Sequence, residues 1–142
     1  MFCREFYFEK VSSLRPKSFI NDISPDMNQS LQAFEIFSRE YERLDIYEKR
    51  IATDQSIELV FCNKDLDQWL KLLTDAFGPA IKSPGANPSR EDQTVTKEYG
   101  GIRTDQTLFR SGDDNMYVIA MLWPWLSAKF TTLKVILVSK KY

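Results

Sequence analysis

The chain contains no histidine. That absence removes Ser-His-Asp and Cys-His nucleophilic sites, HExxH zinc hydrolysis, and the side chain best suited to moving protons near neutral pH. Glycine is scarce, and none stands in the GxxxxGK[ST] spacing of a phosphate loop or the GxGxxG spacing of a dinucleotide fold. The Ser-x-x-Lys arrangement is missing too. Only two cysteines occur, Cys3 and Cys62, with neither CxxC nor metal spacing. Their apolar neighbours predict two buried free thiols.

An excess of charge of one sign is also lacking. Nineteen basic residues against twenty acidic give a net charge of −1, so no global field draws the chain to nucleic acid or an anionic membrane. Long hydrophobic runs are absent: the longest, Met116 to Leu126, falls well short of the roughly 20 residues a membrane span needs and contains Pro124. The start, MFCREFYFEK, puts Arg4, Glu5, Glu9 and Lys10 where a secretory signal needs an apolar core, which predicts a cytoplasmic chain.

What is present is an ordinary globular composition, 43% hydrophobic and 27% charged, which excludes a disordered chain. At 142 residues the chain can bury roughly 70% of its unfolded surface, so residues 1–142 are expected to form a single domain. Ten Phe, six Tyr and three Trp are enough to fill a core and leave aromatics over for a surface.

Along the chain, Phe2 to Val11 alternates as a half-buried strand does. Ser24, Pro25 and Asp26 make a helix start. The spacing of Met27, Leu31, Phe34, Phe37 and Tyr41 predicts a long amphipathic helix through about Arg39, supported by a Glu35–Arg39 pair. Glu40 to Ile51 fits either a continued helix, with an Asp45–Lys49 pair, or one strand of a hairpin turning at ATDQ. Ser56 to Cys62 reads as a buried strand. A shorter helix follows from about Asp65 to Phe77, with Leu66, Trp69, Leu70, Leu73 and Phe77 on one face. An Asp65/Gln68 capping box should start it, an Asp67–Lys71 pair should line its wet side, and Gly78-Pro79 should stop it.

Residues from about 78 to 95, rich in proline and glycine, predict a long flexible loop of the kind that is usually functional or mobile. Lys97 to Arg103, Thr107 to Arg110, Met116 to Trp123 and Thr132 to Lys140 then read as strands, with SGDDN as a hairpin turn. Met116 to Trp123 is apolar at every position, which predicts an inner strand covered on both faces. The sum is an α+β fold: a mostly antiparallel sheet with one long and one shorter amphipathic helix packed on it.

The candidate surface lies between Tyr99 and Trp125. Gly100 and Gly101 allow a sharp bend or the close approach of a ligand. In an extended chain Arg103 and Asp105 share a face, where the plain expectation is an ion pair between them. The sharper one has Arg103, with Arg110, offering its donor fork to a carboxylate or phosphate while Gln106 adds a neutral hydrogen bond. Trp123-Pro124-Trp125 marks where the chain leaves the sheet, and an exposed Trp125 beside Leu126 and Phe130 would have the character of an interface, most commonly between two copies. The adjacent carboxylates Asp113 and Asp114 read as a solvated turn. No catalytic residue, metal site or cofactor is assigned.

The leading expectation is therefore a non-enzymatic cytoplasmic binding or interaction protein that recognises a protein partner or small ligand through an aromatic and arginine surface. The rival is an enzyme working with carboxylate, Arg and Tyr side chains, with Tyr99, Arg103 and Asp105 as participants. A nucleic-acid module ranks third: Phe6, Tyr7 and Phe8 lie between Arg4 and Lys10, but the glycines of the RNA-recognition signature are missing.

Overall fold

The computed structural model describes residues 29–140. The expected first strand, the helix start at Ser24 to Asp26, Met27 and Cys3 lie outside the described residues.

Helix α1 (Gln29–Glu40) buries Ala33, Phe34 and Phe37 along one stripe and runs into a 3-10 turn at Tyr41–Arg43. Beyond it the hairpin alternative prevails. Strand β1 (Glu48–Ala52) pairs antiparallel with β2 (Ser56–Cys62), and between them the Thr53 hydroxyl accepts from the N–H groups of Gln55 and Ser56 at 3.1 and 3.0 Å. Either form pairs the backbone, but the hairpin also ties Glu48–Ala52 to β2 and so to the sheet, which the single Asp45–Lys49 pair of a continued helix does not match. Lys49 accordingly pairs with Glu42 rather than Asp45.

Helix α2 (Leu66–Phe77) buries Trp69, Leu73 and Phe77 against α1 and the sheet. Trp69 stacks on Phe61 of β2 at 4.9 Å, and Phe37 of α1 stacks on Phe77 at 5.9 Å. Each such fully buried side chain contributes about 1.5 to 3 kcal/mol. Gly78 ends α2 at φ +88, donating to the Thr74 carbonyl, but the expected box at its start does not form: the Asp65 side chain makes no capping bond. Lys71 pairs with Asp75, at 3.0 Å, instead of Asp67.

The remaining strands are β3 (Thr107–Gly112), β4 (Met116–Pro124) and β5 (Phe130–Ser139), and the sheet is antiparallel throughout in the order β1-β2-β5-β4-β3. The SGDDN turn forms as expected. The Asp113 carboxylate accepts from the N–H groups of Met116 and Asn115 at 2.9 Å each, and these bonds hold its carboxyl below the usual range.

Strand β4 is an inner strand with both faces covered. Val118, Ala120 and Leu122 meet the helices, while Tyr117, Ile119 and Met121 face a second apolar cluster with Ile102, Leu108 and Val138. Its far cover comes from the segment expected to be a loop. Ser89 and Asp92 form a capping box, with reciprocal bonds of 3.0 and 2.9 Å, and start helix α3 (Arg90–Thr96). Val95 and Tyr99 then pack onto the second cluster. Two expectations are thereby corrected: residues 78–95 contain a helix, and Lys97 to Arg103 is a 3-10 turn (Lys97–Tyr99) followed by irregular chain, not a strand. The capping box satisfies the free amides at the start of α3, a gain that an alternating apolar pattern does not record.

Lys82 fastens this cover. Its buried ammonium donates to the carbonyl oxygens of Ser83 at 3.0 Å, Thr104 at 2.7 Å, and Gln106. Burial lowers its pKa. Cys62 is disulfide-bonded and is not the free thiol that its apolar flanks predict. Among the described residues no helix is long and apolar enough to cross a membrane.

Candidate functional site

Gly100 and Gly101 terminate the α3 cover rather than bending a strand. Both hold positive φ, +109 and +78, and the Gly101 N–H donates to the Thr96 carbonyl at 2.9 Å. Left-handed residues of this kind close helix ends, and glycine adopts them without Cβ strain. At Gly100 there is a second requirement. A Cβ built there would lie 2.7 Å from the six-membered ring of Trp123. The glycine pair and the tryptophan exit, expected to be neighbours, are thus in direct contact.

Tyr99 is the residue this contact positions. It lines two concavities, of about 830 and 590 Å³, that also share Gln55 and Leu137. The larger opens between α1, through Glu35 and Ser38, and the β1–β2 turn, through Thr53 and Asp54. The smaller lies over the uncovered part of the sheet, with Glu58 of β2, Lys134 of β5 and Glu98 at its edges. Together they make one groove bent around Tyr99. Each volume is within the range of ligand sites, about 300 to 1,000 Å³. Burial, with the Glu98 carboxylate adding to it, pushes the Tyr99 phenol above its ordinary pKa, so it is a hydrogen-bonding hydroxyl at neutral pH.

The smaller arm has a fixed cation in its wall. The Lys134 ammonium stands 4.6 Å from the Trp123 ring centroid, 3.4 Å from the Tyr99 carbonyl oxygen and 3.8 Å from the Glu58 carboxylate. Glu58 also meets Arg50 at 3.5 Å. The Trp123 Nε1–H is buried without a hydrogen-bond acceptor among the described residues.

The arginines do not form the expected anion grip. Arg103 and Asp105 sit at a turn, 75% and 61% exposed, and pair with each other at 3.8 Å. Gln106 is spent on the same turn, its Oε1 accepting from the Arg103 N–H at 2.7 Å. Arg110 is largely buried over the Tyr117 ring, 4.5 Å from its centroid, and its guanidinium meets Glu91 at 3.2 Å and Asp114 at 3.5 Å. Two carboxylates therefore already occupy the fork that was expected to take an anion, and it clasps α3 to the β3–β4 turn. Family models, curated proteins and solved structures were compared with the chain, and none matches.

Trp125 lies away from the groove, at the β4–β5 connection. Its Nε1–H donates to the Thr132 hydroxyl at 2.9 Å, its ring tilts against Phe130 at 5.1 Å, and Phe130 in turn meets Tyr47 at 4.3 Å. Leu126 beside it is fully exposed. Of the nine candidate residues, the structure brings Tyr99 and Gly100 to the groove and seats Gly100 against Trp123. It places Arg103, Asp105, Gln106, Arg110 and Trp125 elsewhere, and Gly101 serves the helix end.

Sequence reading missed Gln55, Glu58 and Lys134. The only signal for Gln55 was the ATDQ turn. Nothing in the sequence pairs Glu58 with Lys134, because their proximity comes from the register of β2 on β5. Among the described residues no group of three or more acidic or cysteine side chains is arranged to hold a metal.

Proposed function

We propose that this chain is a non-enzymatic binding module that takes a small ligand or a segment of a partner protein in the groove around Tyr99. The observation that carries this reading is the meeting of two concavities at one half-buried tyrosine, held in place by the Gly100–Trp123 contact. A phenol with a raised pKa binds through hydrogen bonding and its ring face and is a poor proton shuttle at neutral pH. The participants of the rival enzymatic reading do not converge, since the Arg103–Asp105 pair lines neither arm of the groove.

Removing a large aromatic from the centre of a binding site costs about 1.4 kcal/mol or more, so Tyr99→Ala should weaken a ligand retained by the purified chain at least about tenfold. Arg103→Ala should leave its affinity unchanged. Titration calorimetry with that ligand checks both, and equal affinity of Tyr99→Ala and the unaltered chain would contradict the reading.

A second reading, self-association, draws on Leu126 standing fully exposed beside Trp125 and Phe130. Leu126→Ser should then weaken association of two copies at least about tenfold in sedimentation equilibrium while leaving the thermal midpoint in place. A monomer at every concentration for both chains would dismiss it.

A further inference from the structure

We infer that the occupant of the Tyr99 groove is an extended, basic segment of a partner protein. The inference rests on the binding reading above and adds the chemistry of what binds. It stands on three observations. The first is shape: the two arms share Gln55, Tyr99 and Leu137 and form one bent channel, which suits a chain laid along it better than a compact molecule.

The second is charge. Carboxylates from Glu35 and Asp54 line the larger arm, those of Glu58 and Glu98 line the smaller, and Lys134 is the one base lining either arm among the described residues. Lys134 is already engaged with Glu58 and the Trp123 ring. Glu35, Asp54 and Glu98 make no ion pair among the described residues. An anion entering the groove meets more carboxylates than bases in both arms, whereas a lysine- or arginine-bearing segment meets unspent carboxylates in each.

The third is the wall itself. The Lys134 ammonium rests between an indole face, a backbone carbonyl and a carboxylate, the three kinds of group that select an alkylammonium. That site is filled by Lys134 itself, so a guest ammonium pairs with the unspent carboxylates of Glu35, Asp54 and Glu98. Tyr99 and Ile136, which pack on the same face of the sheet, supply contact for the aliphatic stems between charges.

The test uses the full chain, labelled for amide NMR, with tetralysine and tetraglutamate as probes. Tetralysine should shift the amides of Asp54, Gln55, Glu98 and Tyr99, with an effect that weakens as salt is added. Tetraglutamate should shift none of them. The double variant Glu35→Gln/Asp54→Asn, at exposed positions that leave the fold intact, should bind tetralysine about fivefold more weakly. Shifts scattered over the whole surface, no shifts, tighter binding of tetraglutamate, or response to spermine but not to tetralysine would each overturn the inference. If a retained neutral or anionic ligand still depends on Tyr99 while tetralysine is ignored, this inference fails and the binding reading stands. If no ligand depends on Tyr99, both fail.

Discussion

Gly100→Ala should destabilise the chain by about 3 kcal/mol, combining a strained left-handed backbone with an overpacked contact. The backbone there holds φ +109, and the added methyl would sit 2.7 Å from a ring that Lys134 and the α3 cover hold on its other sides. Neither tryptophan nor glycine can give way without moving Tyr99, so the same substitution should also open or close the groove. Gly101→Ala is the control. It shares the positive φ, +78, but meets nothing within 4 Å, so its cost should be about 1 kcal/mol. Thermal unfolding distinguishes the two, with Gly100→Ala lowering the midpoint by roughly 10 °C and Gly101→Ala by a few degrees. Equal shifts would mean that the Trp123 contact contributes nothing.

Lys82→Met should cost about 2 kcal/mol. Methionine keeps the volume of the aliphatic stem, and the backbone bridge between Lys82 and Leu108 is untouched. What is lost is the donor. The Gln106 and Thr104 carbonyls would be left without their partner in a place that water reaches poorly.

The same side chain gives a pH signature. Burial lowers the folded-state pKa of Lys82 below its ordinary 10.5, which means the unfolded chain binds that proton more tightly. Stability contributed by this group therefore rises as pH climbs through the window just below 10.5. The unaltered chain should gain on Lys82→Met across that window in denaturant titrations, and parallel curves would show that the ammonium is not buried as described.

How much of this was legible in the sequence depended on where the deciding interaction lies. Ser56–Cys62, Met116–Trp123 and the helix ending at Phe77 were readable because one face, or both faces, of each is buried over its whole length, and the apolar pattern records that directly. Helix α3 was not. Its seven residues, REDQTVT, carry almost no apolar stripe, and it is held by the Ser89 cap and by Val95 against the sheet. The Ser89-x-x-Asp92 spacing was the available signal, lying inside a stretch whose prolines and glycines argued for a loop.

The site divided in the same way. The proximity of Tyr99, Gly100 and Trp123 was legible because a glycine pair and the end of an inner strand are local features. Arg103 and Asp105 make the plain ion pair expected of them, although a turn and not extended chain joins them. Glu58 and Lys134 were out of reach, since a cross-strand pair between distant segments leaves no mark on either.

The most direct measurement is native mass spectrometry of the chain purified from its own cell, alongside Tyr99→Ala and Arg103→Ala made in the same way. A binding groove centred on Tyr99 predicts a retained molecule or partner on the unaltered chain and on Arg103→Ala, and its loss from Tyr99→Ala. Retention by all three proteins alike, or loss only from Arg103→Ala, would contradict it.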